Sequence, residues 1–156
     1  MRAASPADAP ELVRAAREDA GLTQRALATR AGVKQANIAE IELGRRSVSA
    51  DLLDRLLAAA DYRPAIPTDR QADEIKRIGR ELGVSNVRVF GSVARGEDHF
   101  DSDLDLLVDI APGSSTLRAY AFPSLVAELI GFPVDMVIDE GETPYLTHIR
   151  AEAVAL

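Results

Sequence analysis

The apolar pattern of this 156-residue chain changes period once, near "DYRPAIPTD" (61–69), and the change calls for two different folds in one polypeptide. Before that point apolar residues recur only at helical spacing. After it, strand-like alternation is interleaved with helical stretches. Pro64 and Pro67 stand at the junction. Each disfavours helix at the residue before it, so residues 64–68 are expected to form an extended linker. The expected organisation is a domain over 1–63, a linker over 64–68 and a second domain over 69–156.

Residues 8–20 place Leu12, Ala15, Ala16 and Ala20 on one helical face. Thr23 is a suitable N-cap for "QRALATRA", which should end at Gly32. "KQANIAEIEL" follows, with Ile38 and Ile41 on one side, and should stop at Gly44. "SADLLDRLLAAA", starting at Ser49, puts Leu52, Leu53, Leu56, Leu57 and Ala60 on a single stripe. This half is expected to be all-α.

In the second half, residues 69–82 read as helix through Ile75, Ile78 and Leu82, and "VRVFG" (87–91) as a strand. "DLDLLVDI" (103–110) alternates, with Leu104, Leu106, Val108 and Ile110 on one side and Asp103, Asp105, Leu107 and Asp109 on the other. Residues 115–130 are expected to be helical, 133–139 a third strand, and 144–156 a terminal helix. The expected architecture is a small α/β unit.

Charge divides along the same boundary. Residues 1–65 carry ten basic and nine acidic side chains, whereas 66–156 carry eight basic and sixteen acidic. The second half would repel a polyanion, so any contact with nucleic acid falls to the first. The absence of cysteine excludes disulfides, thiol catalysis and zinc–thiolate sites, and suits a reducing compartment. "MRAASPADAPELV" has no apolar core of the kind a signal peptide needs, and no stretch nears the roughly 20 apolar residues that span a bilayer. The expected location is cytoplasmic, without membrane contact.

Two short helices joined through Gly32 and Val33 form a helix-turn-helix arrangement, whose second helix would enter the major groove of DNA. Its leading residues, Lys34, Gln35, Ala36 and Asn37, suit base edges: Gln and Asn pair with adenine, Lys reaches guanine or phosphate, and Ala touches a thymine methyl. Gln24 is placed to bond a phosphate, and Arg45 and Arg46 to grip the backbone. Glu40 opposes phosphate from the reading helix, while Glu42 reads as a structural residue. The stretch "LTQRALATRAGVKQANIAEIELGRRSVSADLLDRLLAAA" resembles the Xre/Cro-type helix-turn-helix family over about residues 10–62. Because such modules usually read half-sites as dimers, self-association and operator DNA are expected partners.

"FGSVARGEDHFDSDLDLLVD" (90–109) is the second chemical signal. Nucleotidyl transfer needs two Mg²⁺ ions, about 3.5–4 Å apart, to hold the attacking oxygen and a triphosphate. Carboxylates separated by one residue on a strand emerge on the same side, their Cα atoms roughly 6.7 Å apart. Asp103 and Asp105 meet that requirement. Asp135 holds an equivalent early position in "PVDMV" and supplies a third carboxylate, to bind metal and take the acceptor's proton. Gly91 leaves room for phosphate, and Ser92 offers its hydroxyl and amide. A helix starting at Ser92 would add further amides, and Arg95 a charge-assisted contact. No Walker loop is present. Glu97, Asp98 and Asp101 read as loop charges, Ser102 as a turn or cap, and His99 and His148, at no ligand or triad spacing, as surface residues.

The combined pattern, G-S-x-x-R-G-x5-S-D-x-D-L with a later V-D-x-V, resembles the minimal nucleotidyltransferase family of the DNA polymerase β-like superfamily. The likeness runs from about residue 70 through the terminal "IRAEAVAL". It implies a compact α/β fold with a mixed sheet and transfer of a nucleoside monophosphate to an acceptor hydroxyl. It carries phosphate binding to Gly91 and Ser92, and metal binding to Asp103, Asp105 and Asp135. Members of that family are commonly antitoxins that add AMP from ATP to a tyrosine of a HEPN-type RNase toxin. The resemblance therefore implies an ATP-using, Mg²⁺-dependent antitoxin that autoregulates its operon. Two other readings remain open: a regulator whose nucleotidyltransferase fold only binds a partner or senses nucleotide, and transfer to a small molecule such as an aminoglycoside.

Overall fold

A computed structural model describes residues 8–156. The first seven residues of the expected 1–63 module, and with them the start of the segment read as lacking a leader, lie outside the described residues. The chain divides into two compact units between Tyr62 and Arg63.

The first unit is helical: α1 (Ala9–Asp19), α2 (Gln24–Ala31), α3 (Gln35–Glu42) and α4 (Ala50–Ala59). The Thr23 hydroxyl accepts the Ala26 N–H and the Ser49 hydroxyl accepts that of Leu52. Such caps contribute about 1 kcal/mol each. Gly32 ends α2 at φ 65°, a left-handed conformation that favours glycine. Val13, Ala16, Leu27, Ile38, Ile41, Leu53, Leu56 and Leu57 are buried. Fully burying one Leu or Ile side chain is worth about 1.5–3 kcal/mol, so these buried residues are what hold the unit together. The buried face of α1 is Ala9, Val13 and Ala16 rather than the expected Leu12, Ala15, Ala16 and Ala20, and Leu52 stands at the half-buried margin of the α4 stripe. Glu42 joins them: its carboxylate takes hydrogen bonds from Arg17 Nε at 2.6 Å and Gln24 Nε2 at 3.1 Å. Burial pushes the Glu42 carboxyl up, but the hydrogen bonds from Arg17 and Gln24 and the charges of Arg17 and Arg14 outweigh it and hold the group below its usual range.

The second unit runs α5 (Ala65–Arg70), α6 (Ala72–Leu82), β1 (Val84–Phe90), α7 (Gly91–Arg95), β2 (Leu104–Ile110), α8 (Thr116–Ala119), α9 (Phe122–Ile130), β3 (Val134–Ile138), α10 (Pro144–Glu152) and β4 (Val154–Ala155). The sheet order is β3-β2-β1-β4. β2 pairs parallel with β3, and β1 pairs antiparallel with both β2 and β4, so the sheet is mixed. Helices α6 and α9 pack on the sheet and on each other. On the opposite face, Leu146 and Ile149 of α10 form a core with Phe90 and Leu107. Leu107, on the acidic side of the expected alternation, is buried because α10 covers it.

The structure corrects several expectations. Residues 64–68 are not an extended linker, because α5 begins at Ala65 and buries Ile66, Pro67 and Thr68. Pro67 lies in the first turn, where its missing N–H would have no intrahelical partner anyway. Asp98 is not a loop charge. Its side chain is 1% exposed, accepts the Ala65 N–H at 2.9 Å and stands 3.7 Å from Arg63. β1 starts at Val84 rather than 87, its regular pairing interrupted between Ser85 and Arg88 where Asn86 has φ 48°. The helix expected over 115–130 is two helices, with Pro123 in the first turn of the second. The terminal helix stops at Glu152, after which Val154 and Ala155 pair with β1.

Candidate functional site

The parallel register of β2 and β3 sets Asp135 beside Asp105, and Asp103 precedes Leu104 at the mouth of the same strand. Carboxylate oxygens of Asp103, Asp105 and Asp135 lie within 4.8 Å of one another. Asp105 is half-buried and Asp135 is exposed. Burial, then the charges of Asp103, Asp135 and Glu152, push the Asp105 carboxyl up to about 6, with Arg95 opposing them. Three hard oxygen donors with an excess of negative charge fit a divalent cation of the Mg²⁺ class.

Gly91 ends β1 and opens α7 at φ 70°, and a Cβ there would collide with Oδ2 of Asp105. Glycine is thus needed twice over at this position, for the backbone conformation and for the carboxylate it leaves room for. From the sequence alone, that space is expected for phosphate only; Asp105 claims part of it. The short helix starts at Gly91, one residue earlier than expected, and Ser92 in its first turn is half-buried. Arg95 does not reach out alone: its guanidinium donates to Glu97 and to Glu152, each at 2.8 Å. Those two hydrogen bonds hold its pKa above the ordinary value. Ser102 closes the intervening turn, its hydroxyl accepting the His99 N–H at 2.9 Å. His99 and His148 are exposed.

Glu152 joins the site without any role legible in the sequence. It is the last residue of α10; Oε1 accepts the Gly91 N–H at 3.1 Å and Oε2 meets Arg95. Its one signal in the sequence is its place in the terminal "IRAEAVAL", inside the stretch that resembles the nucleotidyltransferase family.

Comparison with known proteins agrees with this geometry. A helix-turn-helix family matches residues 13–66, and a nucleotidyltransferase-domain family matches residues 70–154, more than half of the chain. The chain belongs to the nucleotidyltransferase family. Among relatives, protein adenylyltransferase MntA of Thermococcus cleftensis is 38% identical over 63 residues, covering 40% of this chain and 64% of that protein. The MJ0435 protein of Methanocaldococcus jannaschii is 36% identical over 87 residues, covering 53% of this chain and 94% of that one. A solved structure described as a minimal nucleotidyltransferase superposes with a TM-score of 0.54 at 33% identity, covering 61% of this chain and 98% of that chain. Among the described residues, no helix is long and apolar enough to cross a membrane.

In the helical unit, Lys34 precedes α3, and Gln35, Ala36 and Asn37 form its first turn. Lys34, Gln35 and Ala36 are exposed and Asn37 is half-buried. Gln24 is tied into the structure. Its amide donates to Glu42, and its carbonyl oxygen accepts from Gln35 at 2.8 Å. The pairing orients the Gln35 side chain and leaves the Gln24 amide a second N–H. Arg45 and Arg46 are exposed past α3, and Arg45 lies 4.0 Å from Glu40, which partly neutralises that acid on α3.

Proposed function

We propose that this chain is a DNA-binding antitoxin that transfers AMP from ATP to a hydroxyl of a partner protein, a tyrosine of a HEPN-type RNase toxin, and represses its own operon. The observation that carries the catalytic part is the convergence of three carboxylates beside a turn where only glycine fits. The name of the MntA relative supports AMP as the transferred group and protein as the acceptor.

In this reading Asp103 and Asp105 hold two Mg²⁺ ions, and Asp135 shares in binding them. When bound, the ions supply charge neutralisation to the triphosphate and the acceptor oxygen. Gly91 and Ser92 seat the phosphates, and Arg95 adds a cation beside them. Asp135 takes the proton from the acceptor hydroxyl as its oxygen bonds to the α-phosphorus. The bond from that phosphorus to the bridging oxygen breaks, and pyrophosphate leaves with the electron pair. Lys34, Gln35, Ala36 and Asn37 read operator bases, and Gln24, Arg45 and Arg46 hold the DNA backbone, as a homo-oligomer.

The test is incubation with α-labelled ATP, Mg²⁺ and the product of the neighbouring gene. Label on that product, abolished in Asp103→Asn and Asp105→Asn, is the expected result. Nucleotide bound but no label transferred with any NTP would leave a regulator that senses nucleotide. For the DNA half, Gln35→Ala combined with Asn37→Ala should weaken binding to the chain's own promoter at least about tenfold. Unchanged binding would remove the reading role from α3.

A further inference from the structure

The geometry points to Glu152 as a positioning residue of the transfer site: from the end of α10 its carboxylate clamps the Gly91–Arg95 turn, keeping Gly91 against Asp105 and Arg95 in place. This rests on the nucleotidyl-transfer reading above and adds to it a residue that touches neither metal nor nucleotide.

Glu152 sits where a helix disfavours it, since a carboxylate in the last turn faces the negative end of the helix dipole. It is retained there with two strong donors, the Gly91 N–H at 3.1 Å and the Arg95 guanidinium at 2.8 Å. The backbone around it is held on both sides. Leu146 and Ile149 anchor α10 on Phe90 and Leu107, and Val154 pairs with Val89 directly afterwards. A carboxylate fixed on rigid elements at both flanks can set the position of a turn.

That turn is sensitive to small shifts. Gly91 packs so closely on Asp105 that a single added methyl would strike the carboxylate. Movement of the Gly91 backbone is therefore passed to a metal ligand. Glu97 gives a control, because it also pairs with Arg95, whereas the Gly91 N–H goes to Glu152.

The probe is the full-length chain titrated with Mn²⁺ and a non-hydrolysable α,β-methylene ATP, followed by electron paramagnetic resonance and calorimetry, with a melting curve for each variant. Glu152→Ala should weaken binding of the Mn²⁺–nucleotide pair about tenfold. Glu152→Gln keeps an oxygen for the Gly91 N–H and should recover to within about threefold of wild type. Glu97→Ala should stay within about twofold. Failure of wild-type protein to bind the pair, or binding undiminished in Asp103→Asn, would overturn the nucleotide reading and this inference with it. Wild-type binding that Glu152→Ala leaves unchanged or tightens would overturn the inference alone, as would Glu152→Gln behaving like alanine. If the alanine variant does not fold, Glu152→Gln carries the test: weakening beyond about threefold would refute the role of the Gly91 hydrogen bond, and recovery to within that range would uphold it.

Discussion

Replacing Asp105 with asparagine should stabilise the metal-free protein while abolishing transfer. The carboxyl is raised from 3.8 to about 6, first by burial and then by the negative charges of Asp103, Asp135 and Glu152. At pH 7 Asp105 is ionised in both the folded and unfolded states, so this roughly two-unit rise opposes folding by about 3 kcal/mol before screening. The group reaches solvent, and screening reduces the figure to about 1–2 kcal/mol. For a unit of this size that corresponds to roughly 5–10 °C in Tm. The sign follows the proton. As pH falls through about 6 the folded state takes up a proton first, so the penalty shrinks to about half by pH 5 and disappears below the unfolded value. Asparagine keeps the shape against Gly91 and removes the charge. Thermal melts followed by circular dichroism in EDTA should place Asp105→Asn above wild type at pH 7, with the gap narrowing at pH 5. Saturating Mg²⁺ should raise wild type more than the variant, closing the gap from the other side. A variant that melts at or below wild type in EDTA at pH 7, or a gap indifferent to pH, would refute the view that the acids are held together against their own repulsion.

Three further outcomes are expected. Gly91→Ala should abolish transfer and destabilise the fold by at least about 1–2 kcal/mol, from the left-handed φ alone, with the collision on Asp105 added; activity assays and melting measure both. Glu42→Gln should cost the helical unit about 2–3 kcal/mol in chemical denaturation, because Arg17 loses its buried carboxylate partner and is left with the exposed Glu18. The lowered Glu42 pKa contributes stability present above the unfolded value of 4.5 and lost as pH falls through the folded one, so the wild-type advantage over the Glu42→Gln variant should vanish in acid. Asp98→Ala should release α5, seen as faster amide exchange at Ala65 in hydrogen-exchange measurements, since it removes the acceptor that Ala65 N–H uses.

The parts of the fold that follow from local pattern were readable in advance. Thr23, Gly32 and Ser49 announce helix ends through chemistry confined to a few residues, and Leu53, Leu56 and Leu57 announce a buried stripe through spacing alone. Asp103 and Asp105 were equally legible because a strand's two-residue period forces them to the same side. What could not be read depends on distant partners. Pro64 and Pro67 look like a linker until Asp98, over thirty residues on, supplies an acceptor for the turn they begin. Val154 and Ala155 have no strand pattern of their own and become β4 only because β1 offers an open edge.

Gly91 shows how these two kinds of information meet at the site. The sequence gives a glycine before a serine, and phosphate binding is one sound reason for it. The structure adds two more that sequence alone cannot contain: Asp105 arrives from β2, antiparallel to β1, and Glu152 from α10, sixty-one residues downstream. Each constrains the same backbone from a different side, Asp105 by excluding any side chain and Glu152 by holding the amide. On the nucleotidyl-transfer reading proposed above, a turn fixed by two acids, one of them a candidate metal ligand, would couple cation binding to the shape of a phosphate seat. In that proposal the acidic triad and the glycine-serine turn therefore form one unit, and a substitution in either should disturb binding of both metal and nucleotide.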